Sequence, residues 1–408
     1  MSWVVSQIGA RQHYAVPLGL ARQGELLQFF SDFWIQNWVA SALPILPTQA
    51  FKRLWGRHNP ELGRFVRSFN LEAATARLLC YGLRKREDVY LGHLAYGKWY
   101  DRKVASCLER MKTPPRFVFT FNTGALETLD AGKRLGSHTI VDQIDAAQLD
   151  SEIVQAERDL FPGWELDPPR IPEAYWTRLK NEWATADTVL VNSEFSRASL
   201  IAQGVSPEKL VVVPLAYEKP SACNLPTPRR EGALRVLYLG GLSLRKGIQY
   251  LAQAARKLPD IQFDVAGPSG LCAEALRSFP PNLRLHGYVP RIGIHDLFRR
   301  AEVFVLPTLS DGFAITQLEA MAWGLPVIAT DHCGRVVSDG HDGFVVPVRN
   351  SDAIVDALLR LDRDRELLTS LGRNAFQTVD GYSLDKVTDQ LIRAISPSRG
   401  GINGPSTV

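Results

Sequence analysis

Short β-branched and apolar runs alternate with stretches of helical periodicity along most of this chain, the order that parallel βα units produce. In the first half the runs predict strands at residues 3–8, 26–30, 117–121, 139–142, 188–192 and 211–214. Between the second and third of these lies a helix-rich, basic insertion, about 45–112, with an amphipathic segment at 62–83. From Glu218 to Gly232 the sequence turns Pro-rich, charged and aperiodic, which marks an interdomain linker. The alternation restarts at Leu234, with further strands predicted at 261–266, 283–286, 303–306, 327–329 and 344–346. The predicted architecture is α/β: two doubly wound Rossmann-like domains facing an interdomain cleft. It divides into residues 1–216, a linker at 217–233, residues 234–384, and a C-terminal helix with a disordered tail over 385–408. Ligands of such open sheets sit beyond the C-terminal ends of the strands.

Composition narrows this reading. A length of 408 residues accommodates two domains, and 45% hydrophobic with 22% charged residues describes a soluble globular protein. No apolar run approaches the roughly 20 residues that span a bilayer. The stretch from Met1 to Gly9 lacks a basic n-region and a small-residue cleavage site, so it reads directly as a first strand. Five scattered cysteines (Cys80, Cys107, Cys223, Cys272, Cys333) include no Cys-x-x-Cys pair, which argues against a disulfide framework or structural zinc. A reducing cytoplasm is the expected compartment.

The net charge of +4 is unevenly spread, with fifteen Lys or Arg against six Asp or Glu between Lys52 and Arg116. Clusters such as Arg84-Lys85-Arg86 fit a solvated helix face by default. Peripheral contact with an anionic membrane at its inner face is the functional alternative. No nucleic-acid-binding module is visible.

Candidate chemistry concentrates between Thr308 and Thr330. A strand ends at Pro307, a Gly-containing loop carries Asp311, a short helix carries Glu319, and a second buried strand begins at Pro326. A loop feeding a helix start presents free N–H groups to a phosphate, and an acid farther along the helix can accept two hydrogen bonds from a vicinal diol. Together they point to a nucleotide sugar. Upstream, Leu239-Gly-Gly-Leu-Ser-Leu-Arg-Lys-Gly247 closes the first strand of the second domain. Its two glycines allow close backbone approach, and Arg245 and Lys246 supply cations suited to a diphosphate. The bland reading of each segment, a βα turn with solvated charges, is ordinary in any doubly wound sheet, and spacing alone does not displace it.

These stretches resemble the retaining glycosyltransferases of family 4, the glycosyl transferases group 1 with the GT-B fold. Their nucleotide-sugar loop reads Glu, seven residues, Glu, then Ala-Met-Ala-x-Gly-x-Pro-Val. Here Asp311 replaces the first Glu, while Glu319, Gly324, Pro326 and Val327 stand where the family has them. Lys246 and Gly247 match its Gly-Arg-Leu-x-x-x-Lys-Gly stretch, but the family Arg falls on Gly241. The resemblance is specific over about 234–360 and general elsewhere. It implies transfer of a sugar from a nucleotide diphosphate sugar to an acceptor hydroxyl, with retention, no metal and no cofactor. Lys246, Arg245 and Asp311 would be catalytic. Donor contacts would come from Gly241, Lys246, Gly287, Tyr288, Val289, Asp311, Gly312, Phe313, Ala314, Ile315, Thr316 and Glu319. A glycan or lipid-linked acceptor would meet the first domain near Gly9, Ala10, His13, Asp142, Asp145 and Arg197. Polysaccharide or glycolipid assembly is the implied setting. Two alternatives stay open: a nucleotide-sugar 2-epimerase of the same fold, and a nucleotide-sugar-binding scaffold that has lost catalysis.

Overall fold

A computed structural model describes residues 2–35, 58–82, 88–223 and 232–395. Its strands form two all-parallel sheets. The first contains β1 (Trp3–Gln7), β2 (Leu26–Ser31), β3 (Val66–Ser68), β4 (Phe117–Phe121), β5 (His138–Gln143), β6 (Thr188–Val191) and β7 (Leu210–Val212), in the order β3-β2-β1-β4-β5-β6-β7. The second contains β8 (Arg235–Leu239), β9 (Gln262–Ala266), β10 (Leu283–Gly287), β11 (Val303–Leu306), β12 (Val327–Thr330) and β13 (Gly343–Val346), in the order β10-β9-β8-β11-β12-β13. Helices cover both faces, so β1, β4, β6, β11 and β12 are buried along their whole length. The strand order reverses at β1/β4 and at β8/β11, where loops diverge to opposite faces and leave a crevice.

One strand escaped the periodic reading. β3 lies inside the stretch predicted as an amphipathic helix; among the described residues of that stretch only Asn70–Tyr81 are helical. Three residues carry no usable period, and Val66 joins the sheet because it pairs with Phe29 of β2. The Arg84–Arg86 cluster, residues 224–231 of the linker and the tail beyond Ile395 lie outside the described residues.

Two segments cross between the domains. The last helix, Leu384–Ile395, returns to the first domain, where Val387, Leu391 and Ile395 share a core with Trp3, Tyr14 and Leu20. Gly19 lies against this helix so closely that a Cβ there would sit 1.9 Å from Thr388 Oγ1. In the other direction, Ile153, Phe161 and Trp164 pack on the second domain's core. Ile153 belongs to the helix Gln148–Leu160, which also carries the fully buried Glu157. That carboxylate accepts hydrogen bonds from Gln249 Nε2 at 2.8 Å and Tyr250 Oη at 3.0 Å, and it pairs with Arg349.

Candidate active site

The turn after β8 and the loop after β11 are stitched together. Leu309 N donates to Arg245 O at 2.9 Å, and Arg245 Nη1 donates to Ser310 O at 2.7 Å. Gly247, at φ +72°, abuts Pro307, whose carbonyl oxygen would lie 1.8 Å from any Cβ added to it. Only glycine satisfies both conditions, so this residue sets how closely the two strand ends approach. Across the seam Lys246 forms an ion pair with Asp311. Burial pushes the Asp311 carboxyl upward, but Lys246 and then Arg245 outweigh it and hold the group below the usual carboxylate range. A fixed cation and a fixed anion therefore stand at the C-terminal edge of the sheet.

Beyond Asp311 the backbone turns sharply. Asp311 N donates to His332 O at 3.0 Å, and Ala314 is left-handed at φ +59°. Buried Gln317 holds the turn from behind, donating to Phe313 O at 3.0 Å and Gly334 O at 3.1 Å. Ile315 and Thr316 then lead into the helix Thr316–Ala322, on which Glu319 is half-buried. Gly240, Gly241 and Gly267 form a neighbouring backbone cluster: Gly240 N donates to Ala266 O at 3.0 Å, and a Cβ on Gly267 would strike Gly240 O. Gly267 N in turn donates to Gly287 O at 2.8 Å, which brings the β10 turn alongside. Tyr288 there is 71% exposed, whereas Val289 packs inward.

The first domain contributes a denser polar network. Gly9 N donates to the buried Asp32 at 2.9 Å, and Asp32 is held by Arg77 at 2.9 Å and Tyr96 Oη at 3.0 Å. Gln12, His13 and Tyr14 are all left-handed, so the chain after Gly9 and Ala10 makes a compact reversed turn with His13 at its exposed tip. Arg11 donates to Asn122 Oδ1 at 2.9 Å and lies over the Phe121 ring. Asp142 is buried rather than presented to the cleft; burial pushes its carboxyl up to about 7, against the pull of Arg11. Asp145 accepts from Gln143 Nε2 at 2.7 Å and Ala147 N at 3.0 Å, which shapes the turn after β5. Arg197 pairs with Glu194 on its own helix at 3.8 Å.

The two halves meet at these loops. Gly312 lies against Ile144 O and Asn192, Phe195 stacks on His332 at 4.6 Å between ring centroids, and Leu244 N donates to Glu165 at 2.7 Å. Lys246, Arg245, Asp311, Gly312 and Phe313 thus come together, with Gly241 and Gly287 linked through Gly267. Arg11, Asn122, Asp32, Glu157 and Glu165 went unsuspected. Asn122 alone left a trace in the sequence, as a polar residue directly after an apolar strand. Among the described residues no cluster of His, Cys, Asp or Glu is placed to hold a metal ion. None of the described helices is long and apolar enough to cross a membrane.

Two parallel, doubly wound domains meeting across their strand ends define the GT-B class of glycosyltransferase fold. The family model of the glycosyl transferases group 1 matches residues 233–364, within the second domain. The alpha-D-kanosaminyltransferase of Streptomyces kanamyceticus is 32% identical over 168 residues, 38% of this chain and 44% of that protein. The chain spans about half the length of the curated relatives it matches. Among solved structures, sucrose-phosphate synthase of Thermosynechococcus elongatus superposes with a TM-score of 0.64 at 19% identity, covering 96% of this chain and 97% of that one. HepE of Anabaena in complex with UDP and glucose gives 0.61 at 12% identity, covering 96% and 99%. At these identities the structural likenesses show the fold.

Proposed function

We propose that the protein is a retaining glycosyltransferase that moves a sugar from a nucleotide diphosphate sugar to a hydroxyl of a glycan or lipid-linked acceptor. The observation that carries this reading is the Lys246–Asp311 pair, with Arg245 bonded to the same loop, beyond the C-terminal ends of β8 and β11. In the reaction the bond between the anomeric carbon and the diphosphate oxygen breaks as the acceptor oxygen attacks. Negative charge grows on the departing diphosphate, and the acceptor proton passes to it. Arg245 and Lys246 stand close enough to stabilise that charge once Lys246 turns from Asp311 to the phosphates, which leaves Asp311 to hold sugar hydroxyls. Glu319 takes the ribose diol, and exposed Tyr288 offers a ring face to the base. With fixed cations neutralising the leaving group, the scheme needs no metal. The HepE complex with UDP and glucose supports a uridine diphosphate sugar as the first donor to try.

A thermal-shift panel of UDP, GDP, ADP and dTDP sugars, run on the wild type and on Lys246→Ala and Glu319→Ala, tests the proposal. A stabilising donor whose shift both variants abolish is the expected result. A donor shift that neither variant alters would move the site elsewhere.

A further inference from the structure

The helix Asn70–Tyr81 turns Ala73 and Ala76 inward and leaves Leu71, Leu78 and Leu79 exposed by 86%, 69% and 69%. Residues at i, i+7 and i+8 share one helical face, and Ala74 and Thr75 complete it without adding a charge. The Thr75 hydroxyl is already spent on Leu71 O at 3.2 Å. A single exposed leucine needs no explanation; three forming one stripe do. Of the charged residues of the helix, Glu72, seven positions before Leu79, borders the stripe, and Arg77 stands aside from it. Glu72 is tied to Lys103 at 2.7 Å, and Arg77 reaches back to the buried Asp32.

The surroundings identify the occupant. The helix follows β3, the edge strand of the seven-stranded sheet, whereas the contacts with the second domain described above come from the β5 and β6 ends and the helix Gln148–Leu160. The neighbouring helix Val89–Glu109 exposes Lys98 and Arg102, and Arg110 and Lys112 follow it on the surface. Between residues 58 and 116 the described residues carry nine Lys or Arg against five Asp or Glu. A second copy docked symmetrically would set this positive region against itself. An apolar stripe in a cationic surround is complementary to an anionic lipid bilayer. We infer that Leu71, Leu78 and Leu79 dock on such a surface, with the leucines at the acyl boundary and the surrounding Lys and Arg over the headgroups. This goes beyond the transfer reaction and does not depend on it.

The full chain is to be floated with vesicles of phosphatidylglycerol and phosphatidylcholine, and with phosphatidylcholine alone. The same runs use the triple variant Leu71→Gln, Leu78→Gln, Leu79→Gln, with melting temperature and mass in solution recorded for both proteins. Expected are binding to the anionic vesicles only, reduced by salt, and at least about tenfold weaker binding by the variant at an unchanged melting temperature. Four results would overturn the inference. The wild type fails to float, or the variant binds equally. The wild type is a dimer that the variant dissociates, which assigns the stripe to a second copy. Or the variant loses stability, which means that the chain itself covers the stripe.

Discussion

Gly312 of the second domain stands so close to Ile144 of the first that a Cβ on it would lie 1.9 Å from the Ile144 carbonyl oxygen. Asn192 Nδ2, which donates to that same carbonyl at 3.1 Å, would be 3.1 Å from the added atom. The loop after β11 and the first domain are thus in contact through a residue that has no room to grow. Gly312→Ala must push the loop or the domains apart, because a packed contact does not absorb an overlap of this size. We expect turnover to fall at least about tenfold through misplacement of the reacting groups, with the melting temperature nearly unchanged. Steady-state assays beside nucleotide calorimetry check this; full turnover in the variant would show that the contact does not position the reacting groups.

Gly241 presents the opposite case. Its φ is not left-handed, and the nearest atom to an added Cβ is Pro268 O at 3.9 Å. A side chain therefore fits where the family carries arginine. Gly241→Arg is expected to fold normally and to bind the nucleotide diphosphate about tenfold more tightly, the worth of one hydrogen bond to a charged group. Calorimetric titration with UDP measures it. Unchanged affinity would mean that the diphosphate does not pass over this turn.

Glu157 joins the domains through its buried carboxylate. Glu157→Ala leaves Gln249, Tyr250 and Arg349 without their shared acceptor. The expected loss is about 2–3 kcal/mol, reduced from the full value for a buried pair because Arg349 is partly exposed. Urea unfolding of the wild type, Glu157→Ala and Glu157→Gln tests it, with Glu157→Gln intermediate because it keeps one acceptor oxygen. A cost confined to one unfolding step would locate the latch in a single domain.

Asp142 makes stability depend on pH. Its carboxyl titrates near 3.8 when unfolded and near about 7 when folded. The folded chain therefore holds an extra proton between those values. The stabilisation is complete below the lower pKa and disappears as pH rises through the upper one, at about 1.4 kcal/mol per pH unit. Asp142→Asn removes the titration. Its melting temperature should match the wild type near pH 4, exceed it increasingly up to about pH 7, and stay above it by a constant margin beyond that. A constant difference from pH 4 upward would show that Asp142 titrates as an ordinary carboxyl.

Much of the second domain was legible in its residues. The alternation after Leu234 located its strands, and turn chemistry and spacing together with the resemblance to a known motif singled out Lys246, Asp311 and Glu319. The first domain was less readable. β3 is three residues long, and the polar side chains that shape its loops announce themselves by no period. Asp142 looked like a cleft acid and is buried beside the Arg11 turn.

Local order along the chain therefore determined the α/β class, the two sheets and the pair of charged loops. Hydrophobic period and turn chemistry are properties of a few neighbouring residues. What only the tertiary structure decided is which loop ends face each other, why Gly312 has to be glycine, and where the last helix packs. Glu157 is bound by a residue 192 positions away, and Arg11 by one 111 positions away. Burial and hydrogen-bond satisfaction are set by neighbours in space, and at such separations the folded chain alone supplies those neighbours.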